Sequence, residues 1–158
     1  MNLLRATLSA ATGDQENMIL ERASEILQAR YVSEVSFTSP QLVVKYLTAR
    51  LEHLEHEEFH ALFMDTQHKL IKTEVLAKGT IDGAAVYPRE VLKAALKCNA
   101  AAVVFAHNHP SGMAEASQTD KAITEKLMQA LKLVDIRTLD HIIIGHGEFQ
   151  SFAEKGWI

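Results

Sequence analysis

The chain has 158 residues, 47% of them apolar and 23% charged, with a formal net charge of −4. That length suits one domain with a real core, and the acidic balance gives no electrostatic reason to expect nucleic acid or anionic lipid as a partner. The one cysteine, Cys98, excludes an intramolecular disulfide and a thiolate-rich zinc site; with no basic n-region at the start and no apolar run of spanning length, a soluble cytoplasmic protein is expected.

In chain order, residues 1–14 read as a loose lead-in. Gln15 to Tyr31 has helical spacing, with Ile19, Ala23, Ile26 and Leu27 on one stripe. Ser39-Pro40 reads as an N-cap with proline at the first helical position. The helix it opens points Leu42, Val43, Tyr46, Leu47 and Leu51 inward. The organisation expected is a lead-in and helix over 1–38 and a main domain over 39–158. Phe59 to Met64 and Leu70 to Ala77 read as two strands around a turn at Asp65 to Lys69, a hairpin pattern. Glycines mark loops at Lys78-Gly79-Thr80 and Asp82-Gly83. Pro88 opens a short helix with Val91, Leu92, Ala95 and Leu96 predicted inward. A strand follows at Ala101 to Ala106, then a helix over Ser117 to Val134, a strand over Ile136 to Ile144 and a last short strand near Phe149 to Phe152. Mixed helices and strands predict a central sheet covered by helices.

The chemistry gathers where the third strand stops. Ala101 to Ala106 ends abruptly in His107-Asn108-His109-Pro110. In extended backbone, residues i and i+2 point the same way, so His107 and His109 aim at one point. Pro110 and Gly112 turn the chain back, and Asp120 falls in the first turn of the next helix. Two imidazoles and a carboxylate make three protein ligands for zinc, with the fourth position left to water. A further carboxylate is then needed as general base, and the Ser117 hydroxyl is placed to bind an oxyanion. Ser117-x-x-Asp120 has a plainer reading as well: it is close to a capping box, in which both residues serve the helix start.

The pattern H-x-H-P-x6-S-x-x-D, carried by His107, His109, Pro110, Ser117 and Asp120, resembles the JAMM motif of JAB/MPN metalloproteases. His107 to Gly112, Pro88-Arg89-Glu90-Val91 and Leu139 to Gly145 are similar to the RadC branch of that family. The resemblance runs from about Ser39 to the C-terminus. It implies an α/β, JAB/MPN (cytidine-deaminase-like) fold, with a curved mixed β-sheet flanked by helices. It implies a zinc hydrolase, Zn2+ on His107, His109 and Asp120, and a peptide or isopeptide substrate. It also implies a glutamate beside the site, just ahead of the strand Phe59 to Asp65; Glu57 matches, with Glu58 as second choice. Deaminase chemistry itself requires a P-C-x-x-C that is absent. Two departures from the branch stand out: Ala116 replaces the usual proline before the serine, and the forty or so residues ahead of the matching part are too few for the N-terminal helix-hairpin-helix region of full-length RadC proteins.

Three other readings compete. His56-Glu57-Glu58-Phe59-His60 spells H-E-x-x-H, which on a helix would bind zinc with Glu57 as base. The residues after it favour a strand, which counts against it. The repair label attached to RadC-like proteins invites a DNA-associated role, but no basic stripe with interleaved aromatics supports it. Some JAB/MPN members are non-catalytic interaction modules, a fate that goes with lost ligands, and none is lost here. The remaining histidines have quieter expectations: His53 and His56 solvated, His68 in a turn, His146 in a loop, and His141 as a hydrogen-bonded structural residue or a support of the site. Trp157 reads as a packing anchor.

Overall fold

The computed structural model describes residues 13–34, 37, 39–79 and 85–158. The predicted lead-in before residue 13 and the predicted loop residues Thr80, Asp82 and Gly83 lie outside them. Among the described residues there are four helices, α1 (Gly13–Glu34), α2 (Pro40–Leu51), α3 (Pro88–Lys97) and α4 (Gln118–Lys132). There are five strands, β1 (Glu58–Met64), β2 (Leu70–Lys78), β3 (Ala102–Asn108), β4 (Arg137–Ile144) and β5 (Phe149–Ser151). They form one sheet in the order β2-β1-β3-β4-β5. All neighbouring pairs are antiparallel except β3 and β4. The fold class is therefore the mixed α/β sheet that the sequence predicted. No helix among the described residues is long and apolar enough to cross a membrane.

β1 and β3 lie in the middle of the sheet and are buried along their whole length. Their alternation sorts side chains onto two cores. Leu62, Met64, Val104 and Ala106 pack with Ile142 and Ile144 under Val43, Tyr46, Leu47 and Leu51 of α2. On the other face Phe59, Ala61, Phe63, Val103 and Phe105 pack with Val91 and Ala95 of α3 and with Leu127 and Leu131 of α4. Pairing of Phe59 with His107 continues this second face to the end of β3. His107 thus lies on the α4 side, and Asn108, one residue on, on the α2 side.

Several sequence expectations need correction. The apolar stripe of α1 is mostly uncovered: Ile19 and Ile26 are 53% and 42% exposed, Ala23 is exposed and Leu27 half-buried. α1 packs mainly beside α2 and the edge strand β2. Leu96 is 57% exposed. The buried line of α3 runs through Val91 and Ala95, and Leu96 sits about 100° around the helix from it. Pro40 does occupy the first turn of α2, but Ser39 makes no side-chain capping bond. β1 starts at Glu58, one residue earlier than predicted, and β3 runs on through Asn108.

That strand start decides the H-E-x-x-H reading. Glu58, Phe59 and His60 are strand, so His56 and His60 do not share a helix face. Both histidines instead hold the Glu58 carboxylate, His56 Nε2 at 2.9 Å and His60 Nε2 at 2.8 Å, and Lys78 Nζ adds a third contact at 3.1 Å. Burial alone would raise Glu58, but these three partners outweigh it and hold the carboxyl down at about 2.

Candidate metal centre

The site forms where β3, the turn after it and the start of α4 meet. His107 is the next-to-last residue of β3, and its ring stacks on Phe59 of the paired strand, with centroids 5.7 Å apart. The chain then turns tightly, with Gly112 N–H donating to the His109 carbonyl at 2.9 Å and Gly112 at φ 94°, a conformation that favours glycine. The turn is tied to the end of β4, since His109 N–H donates to the Ile144 carbonyl at 2.9 Å and His146 N–H to the Gly112 carbonyl at 2.8 Å. Gly145 leaves room for this contact: a side-chain carbon there would run into the Gly112 carbonyl oxygen.

Ser117 caps α4 with Asp120 in a full capping box. The Asp120 N–H donates to Ser117 Oγ at 3.0 Å, and Asp120 Oδ2 accepts from the Ser117 N–H and hydroxyl, each at 2.7 Å. The capping-box reading of this pair is met, and it does not take Asp120 out of reach of a metal ion. The cap fixes the carboxylate and leaves Oδ1 turned toward the histidines. As placed, the Ser117 hydroxyl proton is committed to Asp120.

Among the described residues, His107, His109 and Asp120 form a cluster able to hold a metal ion, with ligand atoms all within 4.8 Å of one another. His107 Nε2 lies 2.9 Å from His109 Nε2 and 3.3 Å from Asp120 Oδ1. His109 Nε2 lies 3.6 Å from Asp120 Oδ2. Ligand distances of about 2.1 Å in a tetrahedral zinc site place neighbouring ligand atoms about 3.3 Å apart, so the three separations bracket the value zinc requires. The His109 ring is oriented by Nδ1, which donates to the Met113 carbonyl at 2.9 Å and leaves Nε2 as an acceptor. Electrostatics point the same way. The Asp120 carboxylate beside it raises the His109 pKa above its ordinary value, as expected where the surroundings attract a cation. The residues present fit a zinc ion.

Glu57 and Asp120 line one cleft of about 290 Å3, with Phe59, Val86, Tyr87 and Ile123 among its walls. Burial pushes the half-buried Glu57 carboxyl up to about 7, with His109 opposing and Asp120 adding to the rise. Glu58, the second choice for the base, is buried in its ion-pair network with His56, His60 and Lys78. The structure thus brings Glu57 to the cluster and takes Glu58 away from it.

Sequence reasoning passed over Asn108. Its Oδ1 accepts from the Glu58 N–H at 2.9 Å and its Nδ2 donates to the His56 carbonyl at 2.9 Å. These bonds flank Glu57 on both sides, so the residue between the two histidines also fixes the backbone that carries the glutamate. The parity of β3, with Asn108 on the α2 side, was the available signal, but the partner some fifty residues away was not legible from spacing.

The other histidines separate by role. His141 is fully buried against the cluster, its Nε2 2.8 Å from His107 Nδ1. His56 is half-exposed but bonded to Glu58, rather than simply solvated. His68 sits in the β1–β2 turn at φ 60°, where it was expected. Trp157 packs edge-on against Phe152, at 5.0 Å between centroids, with Lys121 over its ring.

A five-stranded mixed sheet, with a His-His-Asp cluster where its middle strand meets the next helix, defines an α/β domain with a group able to hold a metal ion. The family model of the RadC-like JAB domain matches residues 37–157, and the chain belongs to that family. A UPF0758 protein of Vibrio cholerae is 54% identical over 143 residues, 90% of each chain. A UPF0758 protein of Chromohalobacter salexigens is 58% identical over 123 residues, which cover 78% of this chain and 55% of that one. A third, from Aliivibrio fischeri strain MJ11, is 50% identical over 151 residues, 96% of this chain and 67% of the relative. The chain thus matches little more than half the length of the Chromohalobacter relative and two thirds of the Aliivibrio one.

Proposed function

We propose that the protein is a zinc-dependent hydrolase of the JAMM type that cleaves an amide bond in a peptide or isopeptide. The observation that carries this reading is the cluster of three zinc-type ligands, one of which, Asp120, shares a cleft with Glu57. Zinc bound by His107, His109 and Asp120 would supply Lewis acidity, making hydroxide available near pH 7. Glu57 takes the proton of the attacking water and later gives it to the amine that leaves. A carboxyl poised near 7 is suited to both halves of that exchange. Ser117 holds Asp120 in place before substrate binds. By turning its hydroxyl away from Asp120 it gains a proton to donate to the developing oxyanion. The cleft lies at the small end of ligand-pocket sizes, with apolar walls at Phe59, Val86 and Ile123. It suits a single apolar side chain of an extended peptide.

The test is to present the zinc-loaded protein with pooled linear and lysine-branched peptides in 18O-water and to follow the products by mass spectrometry. Cleavage with one 18O in each new carboxyl terminus is expected. A fully zinc-loaded protein that cleaves neither pool would overturn the assignment.

A further inference from the structure

His107 can ligate a metal through Nε2 only if its proton sits on Nδ1, and a chain of buried hydrogen bonds reaching to the backbone of Asp120 decides this. Thr124, 2% exposed, places Oγ1 2.6 Å from the Asp120 carbonyl oxygen. A carbonyl only accepts, so the one Thr124 hydroxyl proton is spent there. Oγ1 also lies 2.5 Å from His141 Nδ1. With the hydroxyl proton spent, Nδ1 of His141 must be the donor in that contact. His141 is completely buried, where a second ring proton and its charge would be costly, so it carries one ring proton, on Nδ1. Its Nε2 is then an acceptor, 2.8 Å from His107 Nδ1, and His107 must donate to it. With its Nδ1 proton donated there and its ring completely buried, His107 keeps Nε2 as a lone pair that faces His109 Nε2. A cation there would meet the two ring nitrogens and the Asp120 carboxylate together. The main chain of His141 is pinned as well, its N–H donating to Asp140 Oδ1 at 2.7 Å.

We propose that Thr124 and His141 are positioning residues that lock His107 in its metal-binding tautomer, with the direction of the whole relay set by the backbone carbonyl of Asp120. The inference rests on the reading of the cluster as a metal site. Asp120 then serves the centre twice, once through its carboxylate and once through its main chain. Thr124 lies one helical turn beyond it, where the hydroxyl of a threonine reaches the i−4 carbonyl.

Two readouts test the relay. Long-range 1H–15N correlation on the metal-free protein reports which ring nitrogen of each histidine carries the proton, and zinc titration reports affinity. Wild type is expected to show His107 and His141 protonated on Nδ1. In Thr124→Val the Nδ1 proton of His141 has no acceptor, so the pair reverses and His107 carries its proton on Nε2. Zinc affinity falls by about tenfold or more, the range seen when the supporting shell of a metal site is removed. Thr124→Ser keeps the hydroxyl and restores both. Wild-type His107 protonated on Nε2 would overturn the relay without any variant having to fold, as would Thr124→Val with unchanged affinity and tautomers. A wild type that binds no zinc defeats the metal reading instead, and the relay is then judged on the tautomers alone.

Discussion

Glu57→Gln is expected to keep one zinc per chain while lowering peptide cleavage by about a hundred- to ten-thousand-fold, the range for loss of a general base. Glutamine preserves the shape and polarity of the side chain but cannot take a proton. Glu57 is outside the three-residue ligand cluster, so metal content measured beside the rate should not change. The pH profile gives a second check. The base works only when ionised, so wild-type rate falls on the acid side as the carboxylate is protonated. Without a metal ion, burial sets that pKa near 7. A cation beside it favours the charged form and moves the acid limb lower. The limb disappears in Glu57→Gln. Glu58→Gln is the control: it strips the buried partner from His56, His60 and Lys78, and its effect falls on stability rather than on the acid limb. Full cleavage by Glu57→Gln would remove Glu57 from the mechanism.

Gly145→Ala is expected to loosen the metal site from outside it. The added carbon would run into the Gly112 carbonyl oxygen and lie 2.9 Å from Ala114 N and 3.0 Å from the Gly112 carbonyl carbon. All three are backbone atoms, so the whole turn from Gly112 to Ala114 must move. Met113, inside that turn, supplies the carbonyl that orients His109. The His146 N–H bond to the Gly112 carbonyl would be strained by the same movement. Overpacking of this kind costs about 1–3 kcal/mol of stability, read as a shift of the denaturant midpoint. A zinc affinity at least tenfold weaker should accompany it, as when ligand support is lost. Wild-type stability together with wild-type affinity would show that the turn does not hold His109.

The parts of the site legible in the sequence are those governed by local geometry. H-x-H at a strand end converges because strands repeat every two residues, and Ser117-x-x-Asp120 falls into place because helix starts have a fixed capping geometry. Both signals act within about a dozen residues. Asn108 stood between the two histidines in plain view, but its partners are main-chain groups of His56 and Glu58, brought near only by the pairing of β1 with β3. The Thr124–His141 bond joins α4 to β4 across seventeen residues, and periodicity marks both simply as buried. The misplaced apolar positions have the same origin. Spacing put Ile19 and Ile26 on one stripe, but whether a stripe is covered depends on what packs beside the helix, and α1 lies at the sheet edge. The H-E-x-x-H pattern failed for a local reason, because Phe59 to Met64 has the apolar, strand-forming character that wins over a helix there.

The central claim is that His107, His109 and Asp120 hold one zinc ion. It is tested most directly by the metal content of purified protein after zinc loading and exhaustive dialysis, measured beside a His107→Ala, His109→Ala double variant whose fold is checked by circular dichroism. One zinc per wild-type chain and none in the folded double variant is the predicted result; a double variant that still binds one zinc tightly, or a wild type that retains none, would contradict it.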